Sequence, residues 1–181
     1  MKKQLGSSKK YFVLDMDGTF YLGDRILEGS LEFLERVKSA GRHFIFFTNN
    51  SSKNRKVYLE KLARMECYIS EDQLLTSGDV TVHYLKHTLN KNSIYLLGTP
   101  ALEEDFLGKG FVLTDKNPDA VVVGFDTTVT YEKLEKACTL IRNGVPFIAT
   151  HLDNNCPTEN GPIPDCGAIC AFITQSTGVK P

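Results

Sequence analysis

The sequence has no run approaching the roughly 18 consecutive apolar residues of a membrane span, which argues against an integral membrane protein. Its basic start, Met1-Lys2-Lys3 to Lys9-Lys10, lacks the apolar stretch of a signal peptide, so residues 1–10 read as a flexible tail around Gly6-Ser7-Ser8. Charge of one sign is missing as well. Lys plus Arg number 21 against 22 Asp plus Glu, which argues against nucleic acid or a membrane surface as partner. The five cysteines, Cys67, Cys138, Cys156, Cys166 and Cys170, are odd in number and match neither a zinc ribbon nor a disulfide framework. Reduced thiols without a targeting signal point to the cytoplasm. Absent too are a Gly-x-Ser-x-Gly nucleophile elbow, a P-loop and a dinucleotide fingerprint, and with them the chemistries those motifs serve.

What is present is an alternation. With 181 residues, 41% of them hydrophobic and 24% charged, the chain is long enough for one large domain or for a core with an inserted unit. Strand-like runs (Tyr11–Leu14, His43–Phe47, Leu74–Ser77, Ile94–Gly98, Ala120–Gly124, Pro146–Thr150) alternate with helical spacings near 30–40, 53–65, 79–89, 100–107, 130–142 and 168–176. That pattern predicts an α/β protein with parallel strands and crossover helices. Phe20-Tyr21-Leu22 and Arg25-Ile26-Leu27 flank Gly23-Asp24 as a small hairpin. His43–Phe47 reads as a strand buried on both faces, and Asp153–Gly167 as a long loop. The division expected is a first core part over 11–90, an inserted α/β unit over 91–162, and a return to the core over 163–181.

The chemistry concentrates at Asp15-Met16-Asp17-Gly18-Thr19, directly after the first apolar strand. Two carboxylates one residue apart repel each other unless a cation holds them, and hard oxygen ligands select magnesium. Asp15 is placed to attack phosphorus as nucleophile and Asp17 to move protons as general acid and base. Gly18 lets backbone N–H groups turn toward a phosphate. Thr48, Asn49 and Asn50 end the neighbouring strand and offer a hydroxyl and amides to the same oxygens. Both motifs stand at carboxyl ends of strands, where open α/β sheets bind ligands. His151, Asp153 and Cys156 follow the last strand and can reach a ligand there. His83 and His87 have zinc-pair spacing on a helix, but Tyr84 stands where a metalloprotease has Glu, so a solvated helix face is the better reading. Cys166 and Cys170, one helical turn apart, read as small buried side chains.

Asp15-Met16-Asp17-Gly18-Thr19, with Thr48-Asn49-Asn50-Ser51-Ser52 some thirty residues on, resembles the first two motifs of the haloacid dehalogenase-like (HAD) phosphatases. The inserted unit resembles the large cap of subclass IIA, which contains the NagD-like and p-nitrophenyl phosphatases. Ala149-Thr150-His151-Leu152-Asp153 and Gly161–Ala168 resemble the cap exit and the return to the core. The resemblance implies a Rossmann-like parallel-sheet core and a Mg2+-dependent phosphomonoesterase acting on small metabolites through an aspartyl-phosphate. It implies Asp15 and Asp17 at the metal, the latter through its backbone carbonyl, and Gly18, Thr48, Asn49 and Asn50 at the phosphate. It places Cys156 near the leaving group, with Asp153 of the same loop a further substrate candidate, and cap surfaces are candidate faces of a homodimer.

Family members continue with a Gly-Lys-Pro and a Gly-Asp-x-x-x-x-Asp-type segment, and neither follows here through Pro181. Gly78-Asp79 starts like the latter, but it precedes the cap and has His83 and Tyr84 where an acid is needed. Lys180, in the turn Thr177–Pro181, is not assigned the lysine role. The expectation is a chain truncated before the third and fourth motifs, with a C-terminally incomplete core. The first strand then becomes a sheet edge. Two further readings stand beside the phosphatase: a non-catalytic HAD-derived fragment acting as a binding or assembly module, and a phosphotransferase or phosphomutase sharing the Asp-x-Asp chemistry.

Overall fold

The computed structural model describes residues 10–181. The tail expected over 1–10 lies, apart from Lys10, outside the described residues. The chain opens with strand β1 (Tyr11–Leu14), a hairpin of β2 (Tyr21–Leu22) and β3 (Arg25–Ile26), and helix α1 (Ser30–Ser39). Strand β4 (His43–Thr48), helix α2 (Arg55–Arg64) and strand β5 (Leu74–Thr76) complete a three-stranded parallel sheet of order β1-β4-β5. Leu14 stands opposite Phe46, and Thr48 opposite Thr76, so the carboxyl ends of all three strands point one way.

A second α/β unit follows. It runs through α3 (Ser77–His87), β6 (Ser93–Leu97), α4 (Pro100–Gly108), β7 (Val112–Leu113), β8 (Ala120–Val123), α5 (Tyr131–Arg142) and β9 (Phe147–Ala149). Its four parallel strands are ordered β7-β6-β8-β9. The loop after β9 contains a short antiparallel hairpin, β10 (Asn155–Cys156) with β11 (Ile163–Pro164), and α6 (Cys166–Thr177) follows. Strands β2 and β3 were readable because Gly23-Asp24 makes a two-residue turn between them, whereas residues 157–162 separate β10 from β11 without such a signal, so this hairpin emerges only from the fold.

Side-chain periodicity explains the layering. On α1, Leu34 and Val37 share a face three residues apart and pack with Phe44 and Phe46 of β4 and Tyr58 and Leu62 of α2. In β6, Ile94 and Leu96 face one side of the sheet, toward Val82 and Leu85 of α3 and Phe106 of α4. Leu97 and Val123 join the other side, toward Ala137 and Ile141 of α5 and Cys170 and Ile173 of α6. Burying a side chain such as Phe46 or Ile173 contributes about 1.5–3 kcal/mol. Helices α3 and α6 therefore bury their apolar stripes on the second sheet, whereas the sequence division grouped them with the core on either side of it.

Strand β4 is not buried on both faces as its apolar run suggested. Phe44, Phe46 and Thr48 are buried, while Ile45 and Phe47 are only half-buried and His43 is exposed. Strand β1 is a sheet edge among the described residues, with Tyr11 67% and Val13 66% exposed.

Candidate active site

Strand β1 ends at Leu14, so Asp15 and Asp17 project beyond the sheet. The chain then coils tightly: Phe20 N–H donates to Met16 O at 2.9 Å and Gly18 N–H to Tyr21 O at 2.8 Å. Gly18 supplies the left-handed residue this turn needs, with φ +79°. Thr19 Oγ1 donates to Asp15 Oδ2 at 2.7 Å, and the Tyr21 hydroxyl to Asp17 Oδ2 at 3.1 Å. Each carboxylate is thus oriented by a residue four positions on.

Opposite them, β4 ends at the buried Thr48. Its hydroxyl oxygen accepts from Asn50 N–H at 3.2 Å, and Asn50 Oδ1 accepts from the N–H and hydroxyl of Ser52 at 3.0 and 2.6 Å. Asn50 Oδ1 therefore shapes its own loop, with the Asn50 carbonyl held by the Tyr58 hydroxyl at 3.1 Å, while Nδ2 donates to Cys156 Sγ at 3.8 Å. Asn49 is exposed and reaches the second unit, donating Nδ2 to Asp153 Oδ2 at 2.9 Å.

A cavity of about 190 Å³ lies between, with Asp15, Asp17, Thr48, Asn49 and Asn50 on one wall and Asp153, Cys156 and Asp165 on the other. Gly18 sits beneath it, its Cα substituent position 3.4 Å from Pro157 Cγ. A larger cavity of about 650 Å³, near Tyr95, Lys133 and Lys136, holds no comparable chemistry. Its lysines are already paired, Lys133 with Asp126 at 2.8 Å and Lys136 with Asp115 at 2.9 Å.

Electrostatics separate the two carboxylates. Burial raises the Asp17 pKa, and the charge of Asp15 adds to this. Lys61, Lys53 and the Tyr21 hydroxyl pull the other way without cancelling it. Lys61 is only 6% exposed, its Nζ 3.9 Å from the centroid of the Tyr21 ring. Burial and the neighbouring Lys53 lower its pKa. Burial, with the charges of Asp17 and Asp165, pushes the Cys156 thiol up to about 11.

The donor chemistry fits magnesium. Asp15 and Asp17 offer hard oxygens, and magnesium characteristically takes one or two carboxylates and fills its shell with water and phosphate. Among the described residues no cluster of three or more His, Cys, Asp or Glu side chains is arranged as a metal cage. The other sequence candidates lie elsewhere. The rings of His83 and His87 lie 4.6 Å apart on an exposed face of α3. Asp79 is tied to Arg55 at 3.0 Å and Lys109 at 2.6 Å. All five cysteines are buried and free. His151 does not face the cavity as a ligand-reaching group; its Nε2 lies 2.8 Å from Asp165 Oδ1.

Sequence reasoning did not single out Asp165, Asn155, Pro157, Lys61 or Ser51. The first three lie in the Pro/Gly/Asn-rich stretch, whose composition marked a functional loop without distinguishing its members.

Both the three-strand core with its Asp-x-Asp turn and the second α/β unit over it describe one class of protein. A family profile described as haloacid dehalogenase-like hydrolase matches residues 12–112, and the chain belongs to this family, in its NagD-like branch. It is 36% identical over 172 residues to the 5'-nucleotidase YutF of Bacillus subtilis, covering 95% of this chain and 67% of that protein. The crystal structure of a 4-nitrophenylphosphatase from Thermotoga maritima superposes with a TM-score of 0.91 at 50% identity, over 95% of this chain and 66% of that one. The glycerol phosphate phosphatase of Mycobacterium tuberculosis, solved in complex with magnesium, gives a TM-score of 0.85 at 27% identity, over 94% of this chain and 52% of that one. The chain spans about two thirds of the length of the first two relatives. Among the described residues no helix is long and apolar enough to cross a membrane.

Proposed function

We propose that this chain carries the reacting carboxylates of a Mg2+-dependent phosphatase for small phosphate monoesters. The observation that carries the reading is that Asp15 and Asp17 line one cavity together with Thr48 and Asn49, facing a loop that brings in Asp153 and Cys156. The cavity's volume, about 190 Å³, suits a phosphoryl group with a small leaving group, and the phosphatase names of the relatives support the same class.

In this mechanism an Asp15 oxygen attacks phosphorus as the ester P–O bond breaks, leaving the phosphoryl group on Asp15. Asp17, whose pKa burial raises above the usual carboxylate value, gives its proton to the departing alkoxide oxygen. Asp17 then takes a proton from water, whose oxygen attacks phosphorus and releases Asp15 and inorganic phosphate. The Thr48 hydroxyl and the Asn49 amide hold the phosphoryl oxygens and Asn50 fixes the loop that presents them, while Gly18, whose own N–H is taken by Tyr21 O, supplies the turn rather than a phosphate donor. The Asp15 carboxylate and the Asp17 backbone carbonyl would hold magnesium, which would neutralise charge between carboxylate and phosphate. Asp153 and Cys156 line the side on which the leaving group sits. The partner is a small phosphorylated metabolite.

The test is Mg2+-dependent hydrolysis of p-nitrophenyl phosphate by residues 1–181 and by a C-terminally extended chain, each beside Asp15→Asn. Activity abolished by the substitution in either chain supports the reading; equal rates with and without Asp15 overturn it. A second reading, a non-catalytic module that joins another chain, is favoured by the exposed outer edge of β1 at Tyr11 and Val13. Inactivity of both chains, together with a stable hetero-complex, would favour that one.

A further inference from the structure

One buried polar chain belongs to neither the reacting groups nor the general packing. Asp165 Oδ1 and His151 Nε2 are 2.8 Å apart, and both side chains are 6% exposed. The other ring nitrogen, Nδ1, is 3.1 Å from Thr150 Oγ1, which is 2.9 Å from Ser51 Oγ. Ser51 is fully buried and directly follows Asn49-Asn50 in the phosphate loop. The chain of bonds therefore starts at the N-terminus of α6, crosses the loop after β9 and ends in the loop after β4.

The same loop after β9 is clamped along its length. Asp165 N–H donates to Asn154 O at 3.0 Å, and Gly167 N–H to Asp153 O at 2.8 Å. A Cβ on Gly167 would stand 2.3 Å from Leu152 O, so only glycine lets α6 approach this closely. Between these clamps Asp153 is held out to Asn49. The loops carrying the two halves of the cavity thus meet at three points, Ser51 with Thr150, Asn49 with Asp153 and, at 3.8 Å, Asn50 Nδ2 with Cys156 Sγ, and His151 stands in sequence between the first two.

We propose that His151 and Asp165 are a positioning pair that sets the register of the Asp153 loop against the Asn49 loop, with the proton on His151 deciding the direction of the hydroxyl chain between them. This rests on the phosphatase reading, whose phosphate loop it positions. With a neutral ring protonated on Nε2, the ring donates to Asp165 and Nδ1 accepts from the Thr150 hydroxyl, which leaves Thr150 Oγ1 to accept from Ser51. With an imidazolium both ring N–H groups donate, to Asp165 and to Thr150 Oγ1, and the Thr150 hydroxyl turns to donate to Ser51. Ser51 Oγ already accepts from Phe125 N–H at 2.8 Å, so this reversal is felt at the junction of the two units.

The groups facing His151 favour the charged state. Burial, the largest single influence, lowers its pKa, but the hydrogen bond to Asp165 together with the charges of Cys166 on α6, of Asp165 at its N-cap and of Asp153 on its own loop outweighs burial. The value is held above 6.5. The pair's stabilisation is fully present below about pH 6.5 and is lost as pH rises through the raised folded value.

The test follows the His151 ring nitrogens and the Asn49 side-chain amide by NMR from pH 5 to 9, in the wild-type chain, Asp165→Asn and the milder His151→Gln. The expected result is a His151 midpoint above that of a free imidazole and an Asn49 amide whose shift follows the same midpoint. The Asn49 transition moves to lower pH in Asp165→Asn and vanishes in His151→Gln. An Asn49 signal indifferent to His151's titration, or a midpoint unmoved by Asp165→Asn, overturns the proposal. This arm needs no turnover, so it is readable whether or not p-nitrophenyl phosphate is hydrolysed. Where it is hydrolysed, KM rises several-fold through the same pH midpoint with kcat nearly constant. For a merely structural pair, His151→Gln would lower kcat and raise KM alike at every pH, with no midpoint.

Discussion

Ser51 Oγ lies 2.9 Å from Thr150 Oγ1, and this contact between two small hydroxyls joins the carboxyl ends of two parallel sheets. The two neighbouring loops of the second sheet arrive at the same place. Phe125 N–H, after β8, donates to Ser51 Oγ at 2.8 Å, and Thr99 Oγ1, after β6, donates to Ser52 O at 2.8 Å. The strand ends of one unit thus face those of the other, and the site lies in the gap.

Ser51→Ala removes the acceptor of Phe125 N–H and the partner of Thr150 at a fully buried position. An orphaned buried donor costs about 1–3 kcal/mol, so the urea midpoint is expected to fall by a corresponding amount. A loss well below this would show that water fills the place of the hydroxyl.

Two glycines should respond oppositely to alanine. At Gly167 the new Cβ would lie 2.3 Å from Leu152 O, a backbone atom that cannot step aside, and a loss of about 1–3 kcal/mol is expected. Gly108 ends α4 with open space around its Cβ position and no positive φ, so alanine there should stabilise by about 0.4–1 kcal/mol. Thermal unfolding of the two variants side by side checks the pair.

Asp79 is an acid-sensitive tie between the units. Burial alone would raise its pKa, but hydrogen bonds from Lys109, Thr76 N–H and Arg55 outweigh burial and hold it below the usual 3.8. Its stabilisation is complete above pH 3.8 and is lost as pH falls through the lower folded value. Acid unfolding of Asp79→Asn should accordingly show a shallower fall in stability over that range than the wild type.

The Cys156 thiol should be chemically quiet although it lines the cavity. With its pKa near 11, roughly one thiol in a thousand is ionised at pH 8, and the thiolate is the reactive form. Iodoacetamide labelling followed by mass spectrometry should find Cys156 modified slowly in the folded chain and readily in urea. Rapid labelling in the folded state would mean that the cavity wall opens.

The legible parts of this chain were those with a strong local signal. Apolar runs ending in polar turns placed β1 and β4, and with them Asp15, Asp17, Thr48 and Asn49, because a strand's alternation and its terminus are both local properties. The helical spacing near 130–142 was equally local, and Thr130, whose side chain accepts from Lys133 N–H at 3.2 Å, caps the α5 it forms. What was not legible depends on approach between distant segments. Asp165 looks like loop polarity until α6 turns it onto His151, fourteen residues back. The allegiance of α3 and α6 was also hidden, since an apolar stripe states that a helix is buried without naming the sheet that buries it.

Thr99, Phe125 and Thr150 come from three different strand ends, yet all bond to the adjacent pair Ser51 and Ser52. Three such points define a plane. The second unit therefore rests on the first like a tripod on a single stone rather than like a door on a pin. Tilting it in any direction stretches at least one leg, so any swing of the upper unit begins with a threshold, and release of one leg loosens the footing of the other two.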